Sequence, residues 1–95
     1  MNGDRQAELA RKMAELSTRF AAAAGDHRSA LAAARQTNDR AALAEIAHKL
    51  AGSAAMFGHP AIGEAALELE EAAEAGADYS ARFDRLDALL ASLAD

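Results

Sequence analysis

The chain of 95 residues contains no cysteine and no tryptophan, and its one proline is Pro60. Without cysteine there is no disulfide framework, no thiolate zinc site and no cysteine nucleophile. The aromatic residues are only Phe20, Phe57, Phe83 and Tyr79, and β-branched residues are scarce, so little in the chain favours strands. There is no long apolar run to cross a membrane or to form a signal-peptide core, and the expected protein is soluble and cytoplasmic. No basic excess exists either. The formal net charge is -5, with acids spread along the chain, and a nucleic-acid partner needs a basic patch that is absent. Nor is there a glycine-rich phosphate loop, so no ATP site and no autokinase activity are expected.

What the chain does have is alanine and an apolar periodicity of three and four, the signature of helices. A first segment, from about 4 to 36, carries the stripe Leu9, Met13, Leu16, Phe20, Ala24, then His27 or Ala30, Leu31 and Ala34, interrupted at Gly25-Asp26. The stripe keeps phase across the glycine. It predicts either a long helix bent near Gly25 or a short helix followed by a longer one starting near Ser17. Thr37-Asn38 reads as a turn and Asp39 as the N-cap of a second helix, about 40 to 57, which Gly58 stops. Pro60 opens a third helix, about 60 to 75, burying Ile62, Ala66, Leu69 and Ala73, with Gly76 as its stop. Asp78 caps a fourth, about 79 to 93, with the stripe Tyr79, Phe83, Leu86, Leu90 and Leu93. Short turns make sequential helices antiparallel. The expectation is one domain, 1–95: an all-α, antiparallel up-down-up-down four-helix bundle with an additional or continuous N-terminal helical segment.

The chemistry of the chain narrows to His48. In the second helix Leu43, Ile46, Ala47, Leu50, Ala54 and Phe57 form the buried stripe, and His48 lies opposite. Its neighbours one turn either way are Ala44, Glu45, Ala51, Gly52 and Ala55, a face almost without bulk. Glycine inside a helix costs about 1 kcal/mol relative to alanine, so Gly52 points to close approach by another molecule. A solvated imidazole, with an ordinary value near about 6.5, is substantially neutral at cellular pH and nucleophilic. It can take a phosphoryl group from a partner that supplies the metal and the electrostatic clamp. On the residues alone, an incidental surface histidine is the competing reading. His27 is expected to be a partly buried core residue and His59 to cap or flank the turn before Pro60. Glu64, Glu68, Glu70, Glu71 and Glu74 read as a solvated face.

The run His48-Lys49-Leu50-Ala51-Gly52-Ser53-Ala54-Ala55-Met56-Phe57-Gly58 closely resembles the signature of histidine-containing phosphotransfer (HPt) domains of bacterial two-component phosphorelays, H-x-L-K-G-S-[SA]-x-x-x-G. Asp39, nine residues before the histidine, matches the family's acidic cap. Phe20 falls at its usual anchor in the preceding helix. Pro60, Ile62, Glu64, Leu69 and Glu70 follow its next-helix pattern, and the resemblance covers about 18 to 95.

The resemblance implies that His48 is the phosphoacceptor, through Nε2, and that Gly52 leaves room for an incoming receiver domain. Ser53 corresponds to the motif serine, its hydroxyl bonded back to its own helix, and Gly58 to the helix stop. Ala44, Glu45, Lys49, Ala51, Gly52 and Ala55 would form the docking face; Leu67, off the Ile62–Ala66–Leu69 seam, would add an apolar spot to it if exposed beside His48, the alternative being partial burial against the first helix. Response-regulator receivers and a hybrid histidine kinase would be the partners of a monomeric carrier that binds no cofactor, any divalent metal sitting on the receiver. One departure stands out: the family commonly has lysine where this chain has Ala51. Lys49 lies on the other flank and does not replace it, and Arg40 is the alternative cation. The departure leaves open a docking module that regulates a receiver or kinase without being phosphorylated. A structural or self-associating bundle is a further alternative.

Overall fold

A computed structural model of the protein describes the backbone of residues 2–93 and the side chains of residues 3–93. The ends of the 1–95 span, Met1, Ala94 and Asp95, lie outside the described residues. Those described form helices α1 (Asn2–Ala22), α2 (Ala24–Gln36), α3 (Arg40–Met56), α4 (Pro60–Glu74) and α5 (Ser80–Leu93), with no strand among them.

Three of the turns solve the helix-end problem in one way. Asn38, Gly58 and Gly76 take φ values of 51°, 87° and 71°. At each, the next residue's N–H reaches back five positions: Asp39 to Ala34 O, His59 to Ala54 O, and Ala77 to Ala72 O, at 2.8 to 3.1 Å. A left-handed residue allows this bond and so satisfies a carbonyl left over at the helix end. Glycine adopts that conformation without strain at Gly58, and asparagine tolerates it at Asn38. The restarts are equally local. Asp39 Oδ1 accepts the Ala42 N–H at 3.0 Å, and Pro60 occupies the first turn of α4. Asp78 Oδ1 accepts the Ser80 N–H at 2.9 Å. That bond holds the Asp78 carboxyl below its ordinary range.

The core is leucine and alanine. Leu31, Leu43, Leu50, Leu69, Leu86 and Leu90 are fully buried, with Ala24, Ala47, Ala54, Ala65 and Ala66 between them. Helices α2, α3, α4 and α5 pack in a ring, each against two others. The face of α4 is wider than the stripe Ile62, Ala66, Leu69 and Ala73, since Gly63, Ala65 and Ala72 are buried as well. Ile46 on α3 and Phe57, just past its end, are half-buried against the core rather than enclosed by it. Leu93 is likewise half-buried. Across α2 and α5, Arg28 bonds Asp87 at 2.8 Å and Arg35 bonds Asp84 at 2.9 Å. Rising numbers on one helix meet falling numbers on the other, so this pair runs antiparallel.

The N-terminal segment departs from its stripe. The break falls at Ala23, whose N–H is shared between Arg19 O and Phe20 O at 3.1 Å each, and Gly25 lies inside α2. Only the end of α1 meets the bundle. Phe20 is buried and stacks on His59 with ring centroids 5.1 Å apart, while Ser17 Oγ is hydrogen-bonded to His59 Nε2 at 3.0 Å. His27 flanks the same phenylalanine from α2, 5.7 Å away, and is half-buried. Leu9 and Met13, expected in the core, are instead 62% and 40% exposed. With 21 residues α1 is about 31 Å long, and its first turns extend past the end of the bundle. Periodicity identifies an amphipathic face but not whether anything covers it.

Candidate functional site

His48 stands near the middle of α3 with its side chain 74% exposed, and its Nδ1 lies 2.8 Å from Glu70 Oε2 on α4. Glu70 is 13% exposed. It therefore belongs to no solvated face: the packing of α4 on α3 turns it inward to the histidine. A carboxylate only accepts, so Nδ1 carries the proton in this contact, and Nε2 is directed away from Glu70 with its lone pair free whenever the ring is neutral.

The close approach of the two helices explains how Glu70 gets there. A Cβ placed on Gly63 would lie 3.1 Å from Ala51 O and 3.3 Å from Ala55 N. Glycine on α4 and alanines on α3 let the backbones come together, and α4 runs antiparallel to α3 from this contact. Glu70 is two turns beyond Gly63 on the same face, and reaches the helix level of His48. Leu67 lies between them on that face and is 46% exposed.

The expected site residues divide accordingly. Ala44 and Glu45 share a shallow concavity with His48, completed by Ala41 and by Glu70 and Glu74 of α4. Ala51 and Ala55 form the contact with Gly63. Gly52 has nothing within 4 Å of where its Cβ would be, and the ledge above His48 is open there. Lys49 is on the far flank, its Nζ 3.3 Å from Glu45 Oε1, beside the hollow it lines with His27, Ala30 and Ser53. Ser53 Oγ donates to Lys49 O at 2.6 Å. His59 flanks the turn and precedes α4 without a side-chain cap, its ring turned to Ser17.

Arg40 is not the substitute cation. Its guanidinium donates to Ala77 O at 2.9 Å in the turn after α4, faces the Ala72 and Ala73 carbonyls of the last turn of α4 at 3.4 and 3.5 Å, and sits 5.1 Å over the Tyr79 ring. Two turns of helix separate it from His48, and the negative end of the α4 dipole holds it there. Glu68 is also engaged, 2.8 Å from Arg85.

The match to a family model decides the relationship: the model of the Hpt domain covers residues 15–95. The chain belongs to the Hpt domain family. No curated protein and no solved structure gives a significant match. Hpt domains are phosphocarrier modules for histidine phosphotransfer in phosphorelays, where they interact with receiver domains and kinases. The Hpt match begins at Glu15, inside α1, so the exposed turns bearing Leu9 and Met13 precede it. No described helix is long and apolar enough to cross a membrane.

Proposed function

We propose that this Hpt domain, acting as a single monomeric unit over its whole length on an up-down-up-down four-helix frame, is a phosphorelay intermediate with His48 as phosphoacceptor. The observation that carries the proposal is the Nδ1 contact of an exposed imidazole with a largely buried carboxylate. It orients the ring, selects for the neutral ring the tautomer whose Nε2 is unprotonated, and stabilises the positive charge that builds on the ring when Nε2 attacks.

The transfer balances simply. The Nε2 lone pair attacks the phosphorus of an aspartyl phosphate on a receiver domain. The Nε2–P bond forms, the P–O bond to the aspartate breaks, and its electron pair leaves on the carboxylate. The Nδ1 proton stays against Glu70 throughout. In the second half, a carboxylate oxygen of another receiver attacks phosphorus and the Nε2–P electron pair returns to the ring. The divalent metal that clamps the phosphoryl oxygens belongs to the receiver. Gly52 and the alanines around His48 leave the ledge shallow enough for the receiver's site to close over it.

His48→Gln tests the assignment. The variant is expected to keep the helical circular dichroism spectrum and lose all labelling by a phosphorylated receiver; labelling that persists refutes it. A second reading, a docking module that is never phosphorylated, is favoured by Ala51. Formation of an acid-labile, base-stable phosphate on the wild-type chain excludes that reading.

A further inference from the structure

The concavity beside His48 is built by α3 and α4, and the charge on those two helices is lopsided. Helix α4 carries Glu64, Glu68, Glu70, Glu71 and Glu74 and neither lysine nor arginine, while α3 carries Glu45 and two cations, Arg40 and Lys49. Neither cation stands beside His48 on the α4 side. Lys49 is paired with Glu45 on the flank away from α4, and Arg40 is bound to the end of α4. Three carboxylates, Glu45, Glu70 and Glu74, share the concavity with the imidazole. Ala51, one turn above His48 on the α4 side, offers only a methyl group there.

We infer that this Hpt domain supplies no cation to the phosphoryl group it carries, so that phospho-His48 sits at high transfer potential and discharges to a carboxylate acceptor rather than accumulating. The inference rests on His48 being the phosphoacceptor. A phosphoryl group on Nε2 brings roughly two negative charges at neutral pH. Glu70 is offset by the ring proton it holds, which leaves Glu74 and Glu45 to repel the newcomer, Glu45 partly masked by Lys49. That repulsion is present while the group is bound and is relieved when it leaves. The cation that steadies the group during transfer must come from the partner, whose contact face should be basic at the edge that meets Glu74.

Phosphoramidate, which phosphorylates histidine directly, tests this without a receiver. Its phosphorus is attacked by Nε2, the Nε2–P bond forms, and the P–N bond to the amine breaks with release of ammonia. At a fixed ratio of phosphoramidate to ammonium, the phosphorylated fraction read by intact mass gives the equilibrium constant. Ala51→Lys and Glu74→Gln should each raise that constant about threefold, the size of one exposed charge pair, and 1 M KCl should erase the gain. Asp84→Asn, which makes the same change in net charge on α5, should leave it unchanged. Equal constants for wild type, Ala51→Lys and Glu74→Gln overturn the inference, as does an equal rise in Asp84→Asn. In those cases labelled wild type and unlabelled His48→Gln keep the phosphoacceptor assignment. Labelling of His48→Gln equal to wild type removes the assignment itself.

Discussion

Glu70 holds the Nδ1 of His48 at 2.8 Å from a helix that the histidine's own sequence neighbourhood does not include. A largely buried carboxylate against an exposed imidazole has two effects: it selects the tautomer and it restricts ring rotation. Glu70→Ala should remove both and slow phosphoryl transfer to His48 about tenfold, less than the roughly 10²–10⁴-fold of a group that itself transfers the proton. Glu70→Gln still accepts a hydrogen bond from Nδ1 and should recover the tautomer but not the charge stabilisation, giving an intermediate rate. Ring nitrogen chemical shifts from 15N NMR provide the independent readout: Nδ1-protonated in wild type and Glu70→Gln, a tautomer mixture in Glu70→Ala. Unchanged shifts in Glu70→Ala would show the contact to be incidental.

Gly63 makes that contact possible. Any side chain there meets the backbone of Ala51 and Ala55, which cannot rotate out of the way. Gly63→Leu should therefore push α4 off α3 and destabilise the protein by about 1–3 kcal/mol, the usual cost of overpacking a close contact. In urea titrations the midpoint should fall while the slope stays constant. The variant should also lose the Nδ1-protonated signature of His48, because Glu70 moves with α4.

Much of this site is readable from one dimension, and the part that is not has a physical reason. Helix α3, its cap at Asp39, its stop at Gly58 and the exposure of His48 all follow from spacing within one segment, where period and chemistry are local. Glu70 reads as one more acid on an acidic helix because its burial depends on the α3–α4 register. The signal that places it is Gly63, the smallest residue on the inner face of α4, which marks the point of closest approach two turns away. Arg40 shows the same limit: proximity along α3 suggests a reserve cation, but the C-terminal end of α4 and the Tyr79 ring lie closer in space. Leu9 and Met13 repeat the apolar period faithfully, and only the length of the bundle decides that they are left outside.

The Arg28–Asp87 clamp between α2 and α5 gives the protein a defined acid response. The hydrogen bond from Arg28 holds the Asp87 carboxyl below its usual range, so the folded state favours the ionised form more than the unfolded chain does. This contribution is complete above the unfolded value, about 3.9, and is lost as pH falls through the lowered folded value. Both side chains are about a third or more exposed, and screening limits the contribution to about 1 kcal/mol or less. Asp87→Asn should lower the midpoint of thermal unfolding by a few degrees at pH 7. Melting curves of the two proteins should converge as pH is taken below about 3. A difference that persists undiminished there would assign the effect to packing instead.

The junction of α1 with the bundle concentrates its energetics in one ring. Phe20 is buried between His27 and His59, whereas Leu9 is mostly exposed and lies in turns that precede the Hpt match. Truncating a buried phenylalanine removes its burial and leaves a cavity, so Phe20→Ala should cost about 3–5 kcal/mol. Leu9→Ala removes surface already in water and should change stability by less than about 0.5 kcal/mol. The comparison separates a helix that is anchored along its length from one anchored at its end. If α1 docks only through Phe20 and the Ser17–His59 bond, a chain lacking residues 1–14 should melt within a few degrees of the full protein and exchange phosphoryl groups at the same rate. A large loss of stability on that truncation would mean that Leu9 and Met13 find a partner in solution, and sedimentation velocity of the full chain would then show association that the truncated chain lacks.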